Sequence, residues 1–335
     1  MDQAYLECIT MNLLRNTVVN CTCPDISPLK GGGNNRVFKV KVNGDFYLLK
    51  SYFCHPLDPR DRLETEFSFI HFACENGIQC VPKPIALDRK HQMALYQFIE
   101  GKQLTNLEIK EVHVQQAINF FKELNKYRNT DSAKKLPDAS EACFSIQDHV
   151  SIVSERIKNL KEIENQEVQD FITQALVPIW ERVKDQILDQ LSESISLSSN
   201  RIAAEHQRIS PSDFGFHNAI LARNDQLYFI DFEYAGWDDP AKMVCDFFCH
   251  PAVPVDFNFF DLFVRAISGV YPCFSYTCKL LLPIHQIKWS CIMLNDFLPI
   301  DGKRRKFADT IVDHEKHKAN QLQKAKKNLQ RIRFV

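Results

Sequence analysis

Three oxygen-bearing side chains stand close together in the second half of the sequence. Asp213 precedes Asn218 by five positions, and a short apolar run then ends at Asp231. A carboxylate such as Asp213 can accept a hydrogen bond from a hydroxyl group. Asn218 and Asp231 offer the hard oxygen ligands that Mg²⁺ prefers. A group that orients a hydroxyl, together with ligands for magnesium, is a large part of what phosphoryl transfer requires of a protein.

A second set of candidate residues lies near the start of the sequence and could hold the phosphates of ATP. Gly31, Gly32 and Gly33 would let backbone N–H groups approach a phosphate, because glycine has no Cβ. Lys50 ends an apolar stretch and could reach the α- and β-phosphates. Taken singly, such glycines more often form a flexible turn, and such a lysine more often faces solvent.

The order of these residues along the chain is more specific than any one of them. It runs from glycines to a strand lysine, a helix glutamate, the pair Asp213 and Asn218, and a strand Asp231. Protein kinases arrange the same parts in the same order. The order favours the hypothesis of a single site for ATP and Mg²⁺ that acts on a hydroxyl group.

The glycines and Lys50 flank a predicted β-hairpin. Asn43-Gly44 is a strong hairpin turn between two apolar stretches, and Gly77 is a good stop signal for the helix that follows. The predicted elements are strands at 37–42, 46–50, 85–87 and 93–99, a helix at 60–76, and one more strand before the glycines.

Beyond residue 101 the apolar spacing becomes helical. The sequence predicts helices at 112–127, 146–160 and 168–191, short strands at 219–221 and 227–230, and mostly helix from 259. Pro178 should bend or split the third helix. We therefore expect an α+β protein with two lobes. Residues 1–99 would form a small antiparallel-sheet lobe for the nucleotide. Residues 100–335 would form a mainly helical lobe.

The same residues resemble a known family. Asp213 to Asn218 and Ile230 to Trp237, followed by Asp239-Pro240-Ala241, are similar to the aminoglycoside phosphotransferase and choline kinase-like family. The segment from Glu66 to Pro84 is also similar, and the resemblance covers roughly residues 31–249. It implies a protein kinase-like two-lobed fold and ATP- and Mg²⁺-dependent phosphorylation of a hydroxyl group on a small molecule.

The resemblance further implies roles for individual residues. Asp213 would be the catalytic residue, and Asn218 and Asp231 would hold the metal. Glu66 would pair with Lys50, with Glu64 as the alternative. Tyr96 to Ile99 would form the hinge between the lobes, whose backbone would bind adenine, and residues 107–200, the part that varies in such folds, would supply the substrate pocket. The cofactor-binding residues expected on this basis are Gly31, Gly32, Gly33, Asn34, Lys50, Glu66, Gln97 and Ile99.

Two departures from related patterns affect this interpretation. Pro211 stands where the family usually has His, so we expect an altered loop geometry before Asp213. Glu233 replaces the Gly of protein kinases, which favours the small-molecule branch. The acceptor could be a sugar, an amino alcohol or an aminoglycoside-like compound. The alternatives are a nucleotide-binding regulatory pseudokinase and a protein kinase.

Charge and cysteine usage limit the other functions. The net charge of −1 gives no overall field that would favour nucleic acid or a membrane surface, and no apolar stretch has the length of a membrane span. The cysteines are scattered, and Cys245, Cys249 and His250 lack the second half of a zinc site. Buried thiols in a reducing cytoplasm are the simpler interpretation.

The C-terminal segment is basic from Lys303 to Arg333. It could bind nucleic acid or an acidic membrane. Phe307, Ile311, Leu322, Ala325 and Leu329 recur at roughly helical intervals, however. We therefore expect a helix that packs on the large lobe and keeps a solvated basic face.

Overall fold

A computed structural model of the protein describes residues 3–15, 23–29, 33–193, 201–308 and 313–332. The N-terminal part contains five strands: β1 (Asp25–Leu29), β2 (Arg36–Val42), β3 (Asp45–Ser51), β4 (Pro84–Asp88) and β5 (Met93–Gln97). They form one sheet in the order β1-β2-β3-β5-β4, and each neighbouring pair is antiparallel. The predicted strands of this region, including the one before the glycines, are confirmed.

The tight turn between β2 and β3 fixes the register of the hairpin. Asn43 has a φ of 51° and Gly44 a φ of 92°, both in the left-handed region that Asn and Gly tolerate best. Val42 therefore pairs with Asp45, and the pairing continues to Val37 opposite Lys50. The hairpin predicted from Asn43-Gly44 thus places Lys50 beside the start of β2.

Two helices cover the two faces of the sheet: α1 (Gln3–Leu14) and α2 (Arg62–Glu75). Side chains alternate along β5, so Met93 and Leu95 pack with α1, whereas Ala94 and Tyr96 share a core with α2. The helix predicted at 60–76 is α2, and Gly77 follows it with a φ of 77°. The sequence analysis did not predict α1.

The rest of the chain is mainly helical. Its elements are β6 (Gly101–Lys102), α3 (Glu111–Lys126), α4 (Asp131–Lys134), α5 (Ile146–Leu160), α6 (Gln166–Phe171), α7 (Val177–Glu193), β7 (Arg208–Ser210), β8 (Ala219–Ala222), β9 (Leu227–Phe229), β10 (Gly236–Asp238), α8 (Pro240–Cys249), α9 (Phe260–Ala266), α10 (Phe274–Met293), α11 (Pro299–Ala308) and α12 (His314–Leu329). A π-helical segment, Ile172–Leu176, separates α6 from α7 just before Pro178, where the sequence predicts a break.

Helix α10 forms the centre of the helical part. It packs against α5, α7, α8 and α12. The carboxylate of Asp246 on α8 accepts bonds from three side chains of α10: His285 Nδ1 at 2.9 Å, Lys288 Nζ at 2.6 Å and Trp289 Nε1 at 2.9 Å. These buried bonds fix the end of α8, and His250 follows that end directly.

The strands β6, β8 and β9 form a small sheet that positions two polar loops. β8 and β9 are an antiparallel pair, and the N–H of Ile230 donates to the carbonyl of Asn218 at 2.9 Å. Asn218 immediately precedes β8, and Asp231 lies two residues beyond β9. The ladder thus brings the end of the Asp213–Asn218 segment next to Asp231, although Asn218 and Asp231 are 13 positions apart.

Helix α12 agrees with the predicted C-terminal helix. Leu322, Ala325 and Leu329 are buried against the core, whereas Lys324 and Lys327 are exposed. The basic residues 303–306 lie on α11. They do not all form the predicted solvated face, because Arg304 is buried. No described helix has both the length and the apolar character needed to span a membrane.

The interpretation of the cysteines as buried thiols fits only some of them, because Cys8, Cys23, Cys54 and Cys273 are exposed. Cys143, Cys245 and Cys291 are buried, and Cys74 is partly buried against the same core. Burial raises the pKa of the Cys291 thiol to about 12, so it remains protonated at neutral pH.

Candidate active site

Residues of the sheet and of the helical part together line a cleft of about 720 Å³. Every predicted site residue within the described ranges lines it: Gly33, Asn34, Lys50, Glu66, Gln97, Ile99, Asp213, Asn218 and Asp231. Gly31 and Gly32 lie outside the described residues. The structure therefore brings together groups from the N-terminal sheet and from loops about 160 to 200 positions later in the chain.

Lys50 occupies the centre of this cleft. Its Nζ lies 2.6 Å from Glu66 Oε2 and 2.5 Å from Asp231 Oδ1. Burial alone would lower the pKa of Lys50, but Asp231 and Glu66 hold it well above its ordinary value. Glu64, the alternative partner, lies at the surface and pairs with Arg89 at 2.8 Å. The partner of Lys50 on α2 is therefore Glu66.

Tyr52, which is not one of the predicted site residues, extends this ion pair. Its hydroxyl donates to Glu66 Oε2 at 2.8 Å and lies 2.7 Å from the hydroxyl of Tyr96. Both tyrosines are buried. Glu66 thus accepts two hydrogen bonds, which hold its carboxylate in one orientation.

Asp231 has an unusual backbone and an unusual charge environment. Its φ of 66° lies in the left-handed region, which costs a non-glycine residue energy and recurs at functional sites. Burial raises the pKa of Asp231 to about 7. The positive charge of Lys50 opposes this rise, whereas the negative charges of Glu233 and Glu66 add to it. Glu66 and Asp231 thus share Lys50, and the nearby Glu233 lies 3.6 Å from Arg62.

Asp213 lies in the loop between β7 and β8 and faces two stacked imidazoles. Its Oδ1 is 3.3 Å from His217 Nε2 and 3.4 Å from His250 Nε2. The two rings are parallel, with their centres 3.5 Å apart. Burial would raise the pKa of Asp213, but His217 and His250 hold it well below its ordinary range. Asp213 is therefore ionised at neutral pH.

The hydrogen bonds of His250 indicate its tautomer. Its Nδ1 accepts from the N–H of Ala252 at 3.2 Å, so in the neutral ring Nε2 carries the proton that points to Asp213. Burial and the neighbouring His217 lower the pKa of His250, which favours this neutral form. In the sequence, His250 stands beside two cysteines, and nothing in its neighbourhood indicates a contact with Asp213.

The loop before Asp213 has a strained turn at Ser212, whose φ is 63°. The N–H of Ser212 donates to Ser210 Oγ at 3.0 Å. On the other side, Asn218 Nδ2 donates to the Asp213 carbonyl at 2.9 Å. The amide nitrogen of Asn218 is thereby engaged, which leaves its Oδ1 as the atom suited to a cation.

Glu233 fixes the start of β2 to the Asp231 segment. Its Oε1 accepts from Asn34 Nδ2 at 2.6 Å, and its Oε2 accepts from Asn35 Nδ2 at 2.7 Å. Asn34 also donates to the Tyr234 hydroxyl at 3.0 Å. The sequence showed the paired asparagines and the unusual Glu233, but no local pattern indicated that they meet.

Gln97 and Ile99 lie where the chain leaves the sheet. The N–H of Gln97 donates to the Lys83 carbonyl at 2.9 Å, and its side-chain Oε1 accepts from the Lys83 N–H at 3.2 Å. Gln97 is thus held within the sheet, whereas Ile99 follows the last residue of β5 by two positions.

The far end of the cleft combines residues of three helices and one loop. From the segment predicted to supply the substrate pocket, Glu141 and Arg156 line it, and they form an ion pair of 2.6 Å. Lys242 of α8, with Lys288 and Trp289 of α10, lines the same end. Burial would raise the pKa of Glu141, but Arg156 and Lys288 keep it below its ordinary value. The sequence did not single out these five residues.

Comparison with solved structures supports the fold. A choline/ethanolamine kinase family protein from Mesorhizobium loti superposes with a TM-score of 0.61 at 14% identity, over 98% of this chain and 94% of that one. A choline kinase from Streptococcus pneumoniae gives 0.59 at 14% identity, over 97% and 99%. A spectinomycin phosphotransferase, solved with ADP and spectinomycin, gives 0.63 at 14% identity, over 96% and 98%. The predicted kinase-like two-lobed fold is confirmed; its division at residues 99 and 100 remains a prediction.

No curated protein sequence matches the chain significantly. Residues 25–268 do match the model of the phosphotransferase enzyme family. The matched residues make up well over half of the sequence and include the whole Asp213–Asp231 region. The resemblance inferred from the sequence is therefore confirmed, and the chain belongs to the phosphotransferase enzyme family.

Proposed function

We propose that this protein uses ATP and Mg²⁺ to phosphorylate a hydroxyl group of a small molecule. The observation that carries the proposal is the convergence of two sets of residues on one cleft. Lys50, paired with Glu66 and Asp231, lies in the same cleft as Asp213 and Asn218. These groups are the ones that phosphoryl transfer requires.

The nucleotide would lie under the N-terminal sheet. Lys50 would contact its phosphates, Gly31 to Asn34 would cover them, and the backbone near Gln97 and Ile99 would bind the adenine. Two neighbours in the same fold support an adenine nucleotide. The spectinomycin phosphotransferase was solved with ADP, and a further choline kinase structure contains AMP.

A magnesium ion fits the residues at the base of this site. Lys50 is the ion-pair partner of both Glu66 and Asp231, whereas Glu233 lies 3.6 Å from Arg62, so two carboxylates share one lysine here. Asp231 and the Oδ1 atom of Asn218 would hold the ion through oxygen, as Mg²⁺ prefers. When bound, the ion would neutralise charge on the phosphates.

Asp213 would orient the acceptor hydroxyl by accepting its hydrogen bond. Its low pKa makes it a weak base, which suits a reaction that depends on positioning more than on proton removal. His217 and His250 hold one of its oxygens, so the acceptor would approach the other. Asn218 fixes the backbone of Asp213 from the opposite side.

The acceptor would occupy the end of the cleft near Arg156 and Trp289. Hydroxylated amino alcohols, sugars and aminoglycoside-like compounds are the classes to test, because the neighbours include choline and spectinomycin kinases. This end of the cleft has the carboxylate of Glu141 and the cations Arg156, Lys242 and Lys288, so it could bind either a positively or a negatively charged acceptor.

The proposal is tested by thermal unfolding with ATP, with and without Mg²⁺. At about a hundred times its dissociation constant, a nucleotide stabilises a protein by about 2.7 kcal/mol, which gives a shift of several degrees. Asp231→Asn should lose the magnesium-dependent part of the shift. The control Asp225→Asn changes an exposed residue in the turn between β8 and β9 and should keep it. A wild-type protein without any shift would contradict the proposed nucleotide site.

A further inference from the structure

The basic run on α11 lies at the cleft. Arg304 and Arg305 line the same cleft as Lys50 and Asp231, whereas Lys303 and Lys306 on the same helix are exposed. The helix thus turns its arginines inward and its lysines outward. The proposed transfer reaction gives these arginines no role.

Arg305 lies against Gly33. A Cβ added to Gly33 would lie 1.1 Å from Arg305 Nη1 and 2.3 Å from Arg305 Cζ. The guanidinium therefore fills the place that a side chain at Gly33 would take. Its Nε donates to the buried Asp296 at 2.9 Å, which leaves the two terminal nitrogens on the side of the loop.

The end of α11 is fixed to the sheet by contacts that do not involve Arg305. Arg36 Nε donates to the Phe307 carbonyl at 2.6 Å, and the guanidinium of Arg36 lies 4.5 Å from the centre of the Phe307 ring. The same ring packs edge-on against Phe53, 5.6 Å away. Helix α11 therefore reaches from the helical part to the sheet near the start of β2.

Three arginines line the cleft, and each is paired with a carboxylate. Arg60 pairs with Asp58 at 2.6 Å, Arg304 with Asp301 at 2.7 Å, and Arg305 with Asp296 at 2.9 Å. The arginines line the cleft, and their carboxylate partners do not. An ion pair with its cation towards the cleft attracts an anion there, and guanidinium suits phosphate oxygens in particular.

We propose that Arg305 binds the phosphate tail of the nucleotide from the C-terminal helix α11. The glycine-rich loop would cover the phosphates from one side, and Arg305, packed on Gly33, would contact them beside it. The inference rests on the proposed nucleotide site. It adds that the C-terminal basic segment completes that site, although 272 positions separate Arg305 from Gly33.

The test is calorimetric titration of wild type and Arg305→Ala with ATP and ADP, each with Mg²⁺, and with AMP. A hydrogen bond between charged groups is worth about tenfold to a hundredfold in affinity. We expect the dissociation constants of ATP and ADP to rise about tenfold or more in Arg305→Ala, and that of AMP to stay within twofold. Lys306→Ala, the exposed neighbour, removes the same charge and should leave all three unchanged.

A double-mutant cycle with Gly33→Ala tests the contact itself. The three atoms nearest to a Cβ at Gly33 all belong to Arg305, and the φ of Gly33 is not in the left-handed region. Gly33→Ala should weaken ATP binding in the wild type in two ways, by displacing Arg305 and by adding a Cβ beside the phosphates. Only the second effect remains in Arg305→Ala, so the loss caused by Gly33→Ala should be smaller there. Thermal unfolding of each variant shows whether α11 remains folded.

Distinct results would overturn the two proposals. Wild-type protein that binds no ATP contradicts the nucleotide site itself. Wild type that binds ATP, with Arg305→Ala equally tight, contradicts only the role of Arg305. The role of Arg305 at the phosphate tail is also contradicted if Arg305→Ala weakens AMP binding as much as ATP binding. If only the KM of the acceptor rises in Arg305→Ala, the anion belongs to the acceptor, and the assignment to the nucleotide is wrong.

Discussion

Replacing Glu66 by glutamine isolates the charge that holds Lys50. The carboxylate accepts from Lys50 Nζ at 2.6 Å and from the Tyr52 hydroxyl at 2.8 Å, and all three side chains are buried. Glutamine has nearly the same shape but no charge. A hydrogen bond to a charged group contributes about 1.5–3 kcal/mol, and Asp231 still holds Lys50 in the variant. We therefore expect the dissociation constant of Mg-ATP to rise about tenfold to a hundredfold.

Calorimetric titration measures this change without knowledge of the acceptor, and urea unfolding checks that the variant folds. Glu64→Gln is the matched control, because Glu64 lies two positions away and pairs with Arg89 at an exposed surface. Such pairs contribute about 0–1 kcal/mol, so this control should bind Mg-ATP nearly as the wild type does. Wild-type affinity in folded Glu66→Gln, or equal losses in both variants, would refute the reasoning.

Three further predictions concern contacts around the cleft. Glu233→Gln weakens the hydrogen bonds to Asn34 and Asn35, so calorimetry should show a several-fold higher dissociation constant for Mg-ATP. An unchanged dissociation constant would count against this role of Glu233. Asp246→Ala leaves Lys288 buried without its counter-charge, and urea unfolding should show a loss of about 3–5 kcal/mol. Burial would lower the pKa of His149, but Cys143 and the bond to Asp239 raise it from 6.5 to about 10. Because the pKa of His149 is higher in the folded than in the unfolded protein, its contribution to the free energy of unfolding is complete below pH 6.5 and declines towards pH 10. In His149→Gln, the free energy of unfolding should fall less between these pH values.

The parts of the fold with local signals were predictable. Asn43-Gly44 specifies a two-residue hairpin turn, and Gly77 ends a helix by adopting a positive φ, so both element boundaries follow from a few neighbouring residues. Pro178 marks the break between α6 and α7 because it cannot donate a helical hydrogen bond. Helix α1 lacked such a local signal. Which of its apolar residues are buried is decided by packing against β4 and β5, and the sequence of the helix alone does not show this.

The site was predictable where the order of residues along the chain carried the information. Lys50, Asp213, Asn218 and Asp231 stand in an order that a short pattern can reveal. Contacts between distant segments left no such pattern. Asn34 and Glu233 are 199 positions apart, and their bond depends on the whole fold. The same holds for His250 beside Asp213 and for Arg305 on Gly33.

The central claim is tested most directly by transfer of labelled γ-phosphate from ATP to a panel of hydroxylated amino alcohols, sugars and aminoglycosides. Wild type and Asp213→Asn are compared, with Mg-ATP binding measured in parallel. We predict transfer to at least one acceptor by the wild type. Asp213→Asn should bind Mg-ATP with similar affinity and transfer phosphate at least about 100-fold more slowly. Equal transfer by the two proteins, or a wild type that binds Mg-ATP and phosphorylates no acceptor, would contradict the account.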